Sequence, residues 1–292
     1  FLVRSSENPI FEIITLLHLL LIYLKHKPDL VHHFTIKPCI YGGIVAKLTG
    51  IKNKINHITG LGPSFYSNRK KIKFVNKILH PFYKYAFSDN ENNLINIFHN
   101  NSDKSTFITR SIAKADQTTT IHGSGIDINH YKNDISRKFN NEIKLLFPAR
   151  LIKEKGIVEL INACNDLWNS NYRFTLNIAG EIDTQNRSYL KNKRFKSIQN
   201  NPNIVILGKC NNMHEIYKKM DIVVLPSWRE GLSKSLLESA AMSLPIITTN
   251  VPGCNDIIIN EHSGLLVPLR NKEKLKSAIK KYLKNPELAI QF

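Results

Sequence analysis

Two glutamates stand eight positions apart in the C-terminal half of the chain, close enough to share one ligand. Glu230 lies in a loop after a short apolar run, and Glu238 lies in the following segment, which has helical periodicity. The first N–H groups of a helix have no acceptors within it, so a helix beginning near Ser233 offers an anion site that its dipole reinforces. Gly231 lets a ligand approach the backbone closely. We therefore predict that both carboxylates face one ligand at the start of this helix.

Each glutamate also has a simpler interpretation. Glu230 could be a solvated loop carboxylate, and Glu238 could be a cap, because Ser235-x-x-Glu238 fits a capping box. Taken singly, each simpler interpretation would be preferred. The segments around them, taken together, favour the ligand site.

Two cations follow another predicted strand. Arg150 comes directly after an apolar run, and Lys155 precedes Gly156 and a helical segment. Arginine presents a planar fork of donors and lysine a mobile point charge, a pair that suits a diphosphate. The alternative is a basic surface loop in an already basic protein.

The elements that must position these residues form two series in which apolar runs alternate with helical segments. Such a pattern indicates parallel sheets covered on both faces, and ligands bind beyond the carboxyl ends of their strands. We predict a partial N-terminal domain over 1–126, a linker over 127–142 and a C-terminal domain over 143–292. In the C-terminal series the predicted strands are 144–148, 174–179, 204–207, 222–225 and 245–248, and the predicted helices include 156–168, 189–199, 213–220 and 233–242.

The net charge of the chain limits the classes of partner that we expect. The 292 residues include 41 Lys and Arg against 23 Asp and Glu, a net charge of +18. This excess favours anionic partners such as nucleic acid, an acidic membrane surface or phosphorylated substrates, although scattered lysines could also reflect compositional bias. No helix-turn-helix, RNP or OB signature is present, so we expect no nucleic acid as partner and keep a basic nucleic-acid-binding protein only as an alternative.

The positions of the cysteines argue against a cysteine-ligated metal site, and the hydropathy pattern argues against a membrane-spanning helix. The four cysteines form no CxxC pair and have no metal-ligand spacing, which predicts free thiols in a reducing compartment. The most apolar stretch, residues 10–24, contains Glu12 and His18 and is too short to span a bilayer. We predict a buried helix there in preference to a membrane-surface helix.

Several short segments of the C-terminal half occur together in one known family. They are Ala149-Arg150-Leu151, Lys155-Gly156, Ala179-Gly180, Leu207-Gly208, Pro226-Ser227, Glu230-Gly231-Leu232, Glu238, Pro252-Gly253 and Ser263-Gly264-Leu265-Leu266-Val267. In this combination the chain resembles the family-4 retaining glycosyltransferases. Their GT-B fold consists of two facing Rossmann-like, doubly wound α/β domains. The Glu-x7-Glu spacing matches the hallmark of that family.

The resemblance implies a role for each site residue. Arg150 and Lys155 would hold the donor diphosphate and neutralise the charge that grows as the sugar leaves. Glu230 would bind hydroxyls of the donor sugar, and Glu238 would bind the ribose hydroxyls. Further donor contacts are implied for Gly180, Gly208, Lys209, Gly231, Leu232 and Ser233. The nucleotide sugar is a co-substrate, and such enzymes need no metal or other cofactor, which agrees with the lack of a DxD pair. The Glu spacing and the cation pair argue against a sugar-nucleotide epimerase.

Within the family the chain resembles bacterial sugar transferases that build surface polysaccharides, such as lipopolysaccharide or capsule, or lipid-linked oligosaccharides. Residues 35–38, 41–42 and 59–62 carry this part of the resemblance. It implies transfer of a hexose or N-acetylhexosamine, with retention, from a nucleotide-diphosphate sugar, UDP being favoured, to a lipid-linked saccharide. The expected location is the cytoplasm, peripheral on the inner face of the cell membrane, where the Lys-rich aromatic stretch 65–85 could meet anionic head groups.

The N-terminal half departs from the family pattern. Nothing before Leu30 fits the first strand and Gly-rich loop of such a domain, so we expect an incomplete domain. An inactive donor-binding or scaffold protein stays open as an alternative. The family's His-Gly pair falls at Thr59-Gly60, with His57 two residues earlier on the same strand face. Lys37, His57, Thr59 and Gly60 are therefore the acceptor-side candidates, although a structural role is the commoner outcome for a strand histidine.

Overall fold

The computed structural model describes residues 9–61, 65, 70–90, 93–132, 142–186 and 188–291. The chain divides into two compact units, Phe1–Gly123 and Ser124–Phe292. Residue 62 of the segment 59–62, residues 66–69 of the Lys-rich aromatic stretch and the part of the predicted linker over 133–141 lie outside the described residues.

The first unit contains a parallel sheet of four strands in the order β1-β2-β3-β4, as far as the chain is described. Each strand pairs in register with the next in sequence, as when Val31 lies opposite Lys54. Its elements are α1 (Pro9–His26), β1 (Leu30–Phe34), α2 (Ile36–Leu48), β2 (Asn53–Ile58), α3 (Lys70–Phe87), β3 (Leu94–Phe98), α4 (Asn101–Thr109) and β4 (Thr118–Thr120).

A buried polar chain connects α1 to three strands of this sheet. The Tyr23 hydroxyl lies 2.9 Å from Nε2 of His33, whose Nδ1 lies 2.9 Å from Oδ1 of Asn56. Nδ2 of Asn56 donates to Oδ1 of Asn96 over 3.1 Å. Burial lowers the pKa of His33. Buried polar groups cost free energy unless they are paired. This series of hydrogen-bonded side chains therefore fixes the register of the three strands.

Helix α1 corrects one prediction. We expected a buried helix over 10–24, but only one face of α1 packs, through Leu16, Leu19, Leu20 and Tyr23. The opposite face is exposed at Phe11, Ile13, Ile14, Leu17, Leu21, Ile22 and Leu24. Because α1 is apolar on all sides, the sequence does not indicate which side packs against the rest of the unit.

The second unit contains a parallel six-stranded sheet in the order β10-β9-β8-β5-β6-β7, within the described residues. Its elements are β5 (Ile143–Phe147), α5 (Ile157–Asn169), β6 (Phe174–Ala179), α6 (Asn192–Gln199), β7 (Ile204–Gly208), α7 (Met213–Lys218), β8 (Ile222–Leu225), α8 (Lys234–Ala241), β9 (Ile246–Thr249), β10 (Leu265–Val267), α9 (Lys272–Lys284) and α10 (Pro286–Gln291). Strands β5, β6, β8 and β9 are almost wholly buried, as expected for a sheet covered on both faces.

The strand order creates a switch point between β5 and β8. From β5 the chain adds β6 and β7 on one side, and it then returns to the other side of β5 with β8. The loops that leave β5 and β8 therefore diverge, and ligands of such sheets bind in the crevice beyond these strand ends. Both pairs of predicted ligand residues lie on these loops or on the helix that follows.

Helix α6 is shorter than we predicted. The expected helix began at residue 189, but α6 begins at Asn192. Tyr189 instead forms an antiparallel bridge with Ile152, and the Leu190 N–H donates to the Leu151 carbonyl over 3.3 Å. These hydrogen bonds hold the residues before α6 against the loop that follows β5.

Candidate functional site

The loops after β5 and β8 touch at the level of the backbone. The Trp228 N–H donates to the Glu154 carbonyl over 2.7 Å. Gly156 has a φ of +75°, and a Cβ added there would overlap the carbonyl oxygen of Pro226. Glycine is therefore required at this position both by its conformation and by the closeness of the second loop.

Lys155 and Glu230 meet across these two loops. The Lys155 Nζ donates to both carboxylate oxygens of Glu230, over 2.6 and 2.7 Å. The Ser227 hydroxyl donates to Oε1 of Glu230 over 2.7 Å. The Glu230 side chain is only 10% exposed, which rules out the interpretation of a solvated loop carboxylate. A cation, a carboxylate and a hydroxyl thus lie together at the switch point.

Arg150 lies on the same loop as Lys155, but it pairs with a different carboxylate. Its Nη1 is hydrogen-bonded to Oδ2 of Asp183, in the loop after β6. The Arg150 side chain is 41% exposed and that of Asp183 22% exposed. The guanidinium therefore lies at an open edge of the site. Asp183 was not predicted from the sequence, since no pattern around it marks a partner for an arginine 33 positions earlier.

Glu238 lies in the second turn of α8, as predicted, and it is buried. Its Oε2 accepts from the Tyr217 hydroxyl over 3.0 Å. The Tyr131 hydroxyl also bonds to Glu238, and burial, with the nearby charge of Glu238, raises the pKa of Tyr131 to about 12. The N-cap of α8 is Ser233, with no side-chain cap, so the capping-box interpretation through Ser235 is wrong.

The start of α8 is braced by the loop after β9. The Glu230 N–H donates to the Pro252 carbonyl over 3.3 Å, and the Ser233 N–H donates to the Gly253 carbonyl over 3.2 Å. Gly253 has a φ of +80°, and a Cβ there would lie 2.6 Å from the Glu230 carbonyl carbon. The Ser233 N–H thus has a protein acceptor, which differs from the open first-turn donor that we expected.

Gly180, Gly208 and Lys209 lie together at the ends of β6 and β7. Gly180 forms an isolated bridge with Gly208. A Cβ on Gly180 would overlap the carbonyl of Ala149, so this residue must be glycine for the loop after β5 to pass. Lys209 is exposed. All three lie beyond strand ends, where the fold places ligands.

Trp228 is a further residue of this site that the sequence did not single out. Its Nε1 donates to Oε1 of Glu159 on α5 over 3.1 Å. The guanidinium carbon of Arg270 lies 3.7 Å from its ring centroid, within cation–π range. These contacts fix the loop that carries Glu230. The sequence offered one signal for this role, because Trp228 lies between Pro226-Ser227 and Glu230-Gly231-Leu232, two segments that carry the family resemblance.

The acceptor-side candidates all lie in the first unit. The Lys37 Nζ donates to Oε1 of Glu12 over 2.6 Å. The His57 Nε2 lies 2.9 Å from Nε2 of His99, and burial, followed by the charge of His32, lowers the pKa of His57. Thr59 and Gly60 directly follow β2.

Within the described ranges, no cluster of three or more His, Cys, Asp or Glu residues could hold a metal ion. None of the helices in the same ranges combines the length and apolar character needed to cross a bilayer.

Comparison with known proteins places this geometry in a family. The model of the glycosyl transferases group 1 family matches residues 131–292, and the glycosyl transferase 4-like model matches residues 3–100. The capsular polysaccharide biosynthesis glycosyltransferase CapM of Staphylococcus aureus is 26% identical over 284 residues, which cover 94% of this chain and 72% of CapM.

A second relative and a solved structure extend the comparison. The N,N'-diacetylbacillosaminyl-diphospho-undecaprenol alpha-1,3-N-acetylgalactosaminyltransferase of Campylobacter jejuni is 24% identical, over 98% of this chain and 76% of that protein. The crystal structure of Anabaena Alr3699/HepE with UDP and glucose superposes with a TM-score of 0.73 at 16% identity, covering 94% of this chain and 73% of that one.

These likenesses confirm the predicted fold class, an α/β chain with two Rossmann-like parallel sheets of the GT-B type. The group 1 model covers more than half of the chain and includes every residue of the site around Arg150, Glu230 and Glu238. The chain therefore belongs to the glycosyl transferases group 1 family.

Proposed function

We propose that this glycosyltransferase moves a hexose or N-acetylhexosamine from a nucleotide-diphosphate sugar to a lipid-linked saccharide, with retention, during synthesis of a cell-surface polysaccharide. The observation that carries the proposal is the meeting of Lys155 and Glu230, with Arg150 on the same loop as Lys155, at the switch point of the second sheet. UDP is the favoured nucleotide, because the structure of Anabaena HepE was solved with UDP. The Campylobacter relative, whose name includes a diphospho-undecaprenol saccharide, supports the lipid-linked acceptor.

The cations act on the leaving group. In the transfer, a bond forms between the oxygen of an acceptor hydroxyl and the anomeric carbon while the bond from that carbon to the diphosphate oxygen breaks, and the acceptor hydroxyl releases its proton to water. The electron pair stays on the diphosphate, which becomes more negative. Arg150 and Lys155 stabilise that charge, and a preorganised donor of this kind contributes roughly 10²-fold or more in rate. Because these two side chains supply the positive charge, the proposal requires no metal ion.

The two glutamates bind different parts of the donor. Glu230, which Lys155 and Ser227 hold in place, accepts hydrogen bonds from the transferred sugar. Glu238 accepts from the ribose. An ionised carboxylate has about four acceptor positions, so the hydroxyls of Tyr217 and Tyr131 orient Glu238 without using them all.

We also propose that the first unit docks on an anionic membrane surface at the cytoplasmic face. One stripe of α3 exposes Phe74, Ile78, Phe82 and Tyr85. Exposed lysines, among them Lys77 and Lys84, belong to the same helix. Aromatic residues flanked by lysines fit the boundary between acyl chains and anionic head groups. A lipid-linked acceptor would be presented at such a surface.

The experiment is a donor screen that measures both binding and turnover. The chain is incubated with UDP-glucose, UDP-galactose, their N-acetylated forms and GDP-mannose, with release of nucleoside diphosphate and thermal shift as readouts. We expect at least one UDP-sugar to stabilise the chain and to be hydrolysed. Glu230→Gln should lower the rate by roughly 10²-fold, because it weakens both the sugar contact and the Lys155 pair.

A matched variant controls for loss of a carboxylate. Glu261 forms an exposed ion pair with Lys281 outside the site, so Glu261→Gln should leave turnover unchanged. If no nucleotide sugar stabilises the chain, or if Glu230→Gln behaves like the control, the proposed function is wrong. Stabilisation without hydrolysis in the wild type would favour the inactive donor-binding alternative.

A further inference from the structure

Arg150 is engaged by a carboxylate of the chain itself. The atom that makes this contact is Nη1, at the end of the guanidinium fork. Bidentate binding of a phosphate through that end of the fork needs the same atom. The Asp183 carboxylate and a donor diphosphate would therefore share this nitrogen, so that Asp183 takes one of the N–H groups that could serve the phosphates.

The loop that carries Asp183 is bonded directly to the loop of Arg150. The Leu151 N–H donates to the Glu181 carbonyl over 3.0 Å, and the Lys153 N–H donates to the Ser188 carbonyl over 3.0 Å. These bonds lie on both sides of Asp183 in sequence. The carboxylate is consequently held beside the guanidinium by the backbone, and it stays in the neighbourhood when a ligand arrives.

The charge of Asp183 also acts on the ligand. Lys155 is already paired with Glu230, so each of the two predicted phosphate-binding cations has a carboxylate next to it. Asp183 is only partly exposed, and screening by water there is incomplete. A diphosphate bound at Arg150 would experience repulsion from this carboxylate.

We propose that Asp183 is an affinity-determining residue of the donor site. Its carboxylate is bonded to Arg150 when the site is empty, and it repels a diphosphate that binds to the same guanidinium. The result is weaker retention of the nucleoside diphosphate, which favours release of product after transfer. This inference rests on the proposed function, because it requires that Arg150 binds a diphosphate.

The test is the binding of uridine, UMP and UDP to Asp183→Asn by titration calorimetry. Asparagine keeps the shape of the side chain and removes its charge. We expect the dissociation constant of UDP to fall by roughly threefold to tenfold, since one like charge close to the phosphates has been removed. Uridine, which has no phosphate, should change by less than about twofold, and UMP should lie between them.

Asp166→Asn is the matched control. Asp166 pairs with Lys272 and Lys276 at α5 and α9, so this variant makes the same change in net charge outside the site. The dissociation constant of UDP for Asp166→Asn should therefore equal that of the wild type. UDP affinity in Asp183→Asn that is equal to the control, or weaker, would overturn the inference. A weaker affinity would indicate instead that Asp183 orients Arg150.

The two hypotheses can fail separately. Wild-type chain that binds no UDP contradicts the proposed function, whereas UDP binding without tightening in Asp183→Asn contradicts only the inference. Asp183→Ser, measured alongside by thermal unfolding, covers the case in which asparagine is not tolerated. If both variants unfold, the ion pair is structural and the inference is overturned.

Discussion

Glu230 and Glu238 belong to one segment, but their neighbours differ in kind. Glu230 is bonded to an ammonium and a hydroxyl, Lys155 and Ser227. Glu238 is bonded to two phenol hydroxyls, those of Tyr217 and Tyr131, and the Lys234 ammonium lies 3.6 Å from its Oε1. The first arrangement suits a position next to a charged leaving group. The second suits recognition of neutral hydroxyls, because neutral donors orient the carboxylate and water screens the exposed Lys234 beside it.

Cys254 lies under the same site and has no part in its chemistry. Burial, together with the nearby charge of Glu230, raises its pKa to about 12. A thiol with a raised pKa stays protonated at neutral pH and is a poor nucleophile. The proposed transfer therefore includes no covalent cysteine intermediate.

At the scale of elements, the packing of one loop against another depends on single glycines. Gly156→Ala should destabilise the second unit by about 2–5 kcal/mol, the sum of a left-handed backbone and an overlap with Pro226. Urea unfolding of the variant, followed by a probe of the second unit, measures this change.

Gly208 supplies the comparison. Its φ is +68°, but a Cβ there meets nothing within 4 Å among the described residues. Gly208→Ala should therefore cost only the backbone strain, about 1–2 kcal/mol. Equal losses in the two variants would mean that the contact with Pro226 contributes nothing.

The elements of the second sheet were largely predictable, because strands buried on both faces are short apolar runs between polar segments. Glu238 could be placed in the second turn of its helix because helical periodicity indicated that the helix begins near Ser233. The start of α6 could not be predicted, since residues 189–190 are held by hydrogen bonds to the loop after β5. The Arg150–Asp183 pair and the acceptor of the Ser233 N–H were missed likewise, because each depends on loops that meet only in the folded chain.

At the scale of the whole molecule, the net charge of +18 and the exposed stripe of α3 make one prediction. Phe74 and Phe82 are 65% and 55% exposed, and burying each in a bilayer interface is worth about 1.5 kcal/mol or more. The wild type should sediment with vesicles that contain anionic lipid at low salt. Phe74→Ser/Phe82→Ser should weaken this binding by roughly tenfold or more.

Leu269→Ser is the control, because Leu269 is an exposed apolar residue of the second unit. It should pellet like the wild type. Wild-type chain that stays in the supernatant at low salt, or a double variant that pellets equally well, would contradict the docking proposal. Binding to neutral vesicles of the same strength would contradict the part assigned to the lysines.

A crystal structure of the chain with UDP would show whether a nucleotide diphosphate binds at the switch point of the second sheet. We expect phosphate oxygens within about 2.7–3.2 Å of the Arg150 guanidinium and the Lys155 ammonium. We also expect the ribose hydroxyls to bind Glu238. Density for UDP on any other surface, or phosphates that point away from both cations, would contradict this placement of the nucleotide.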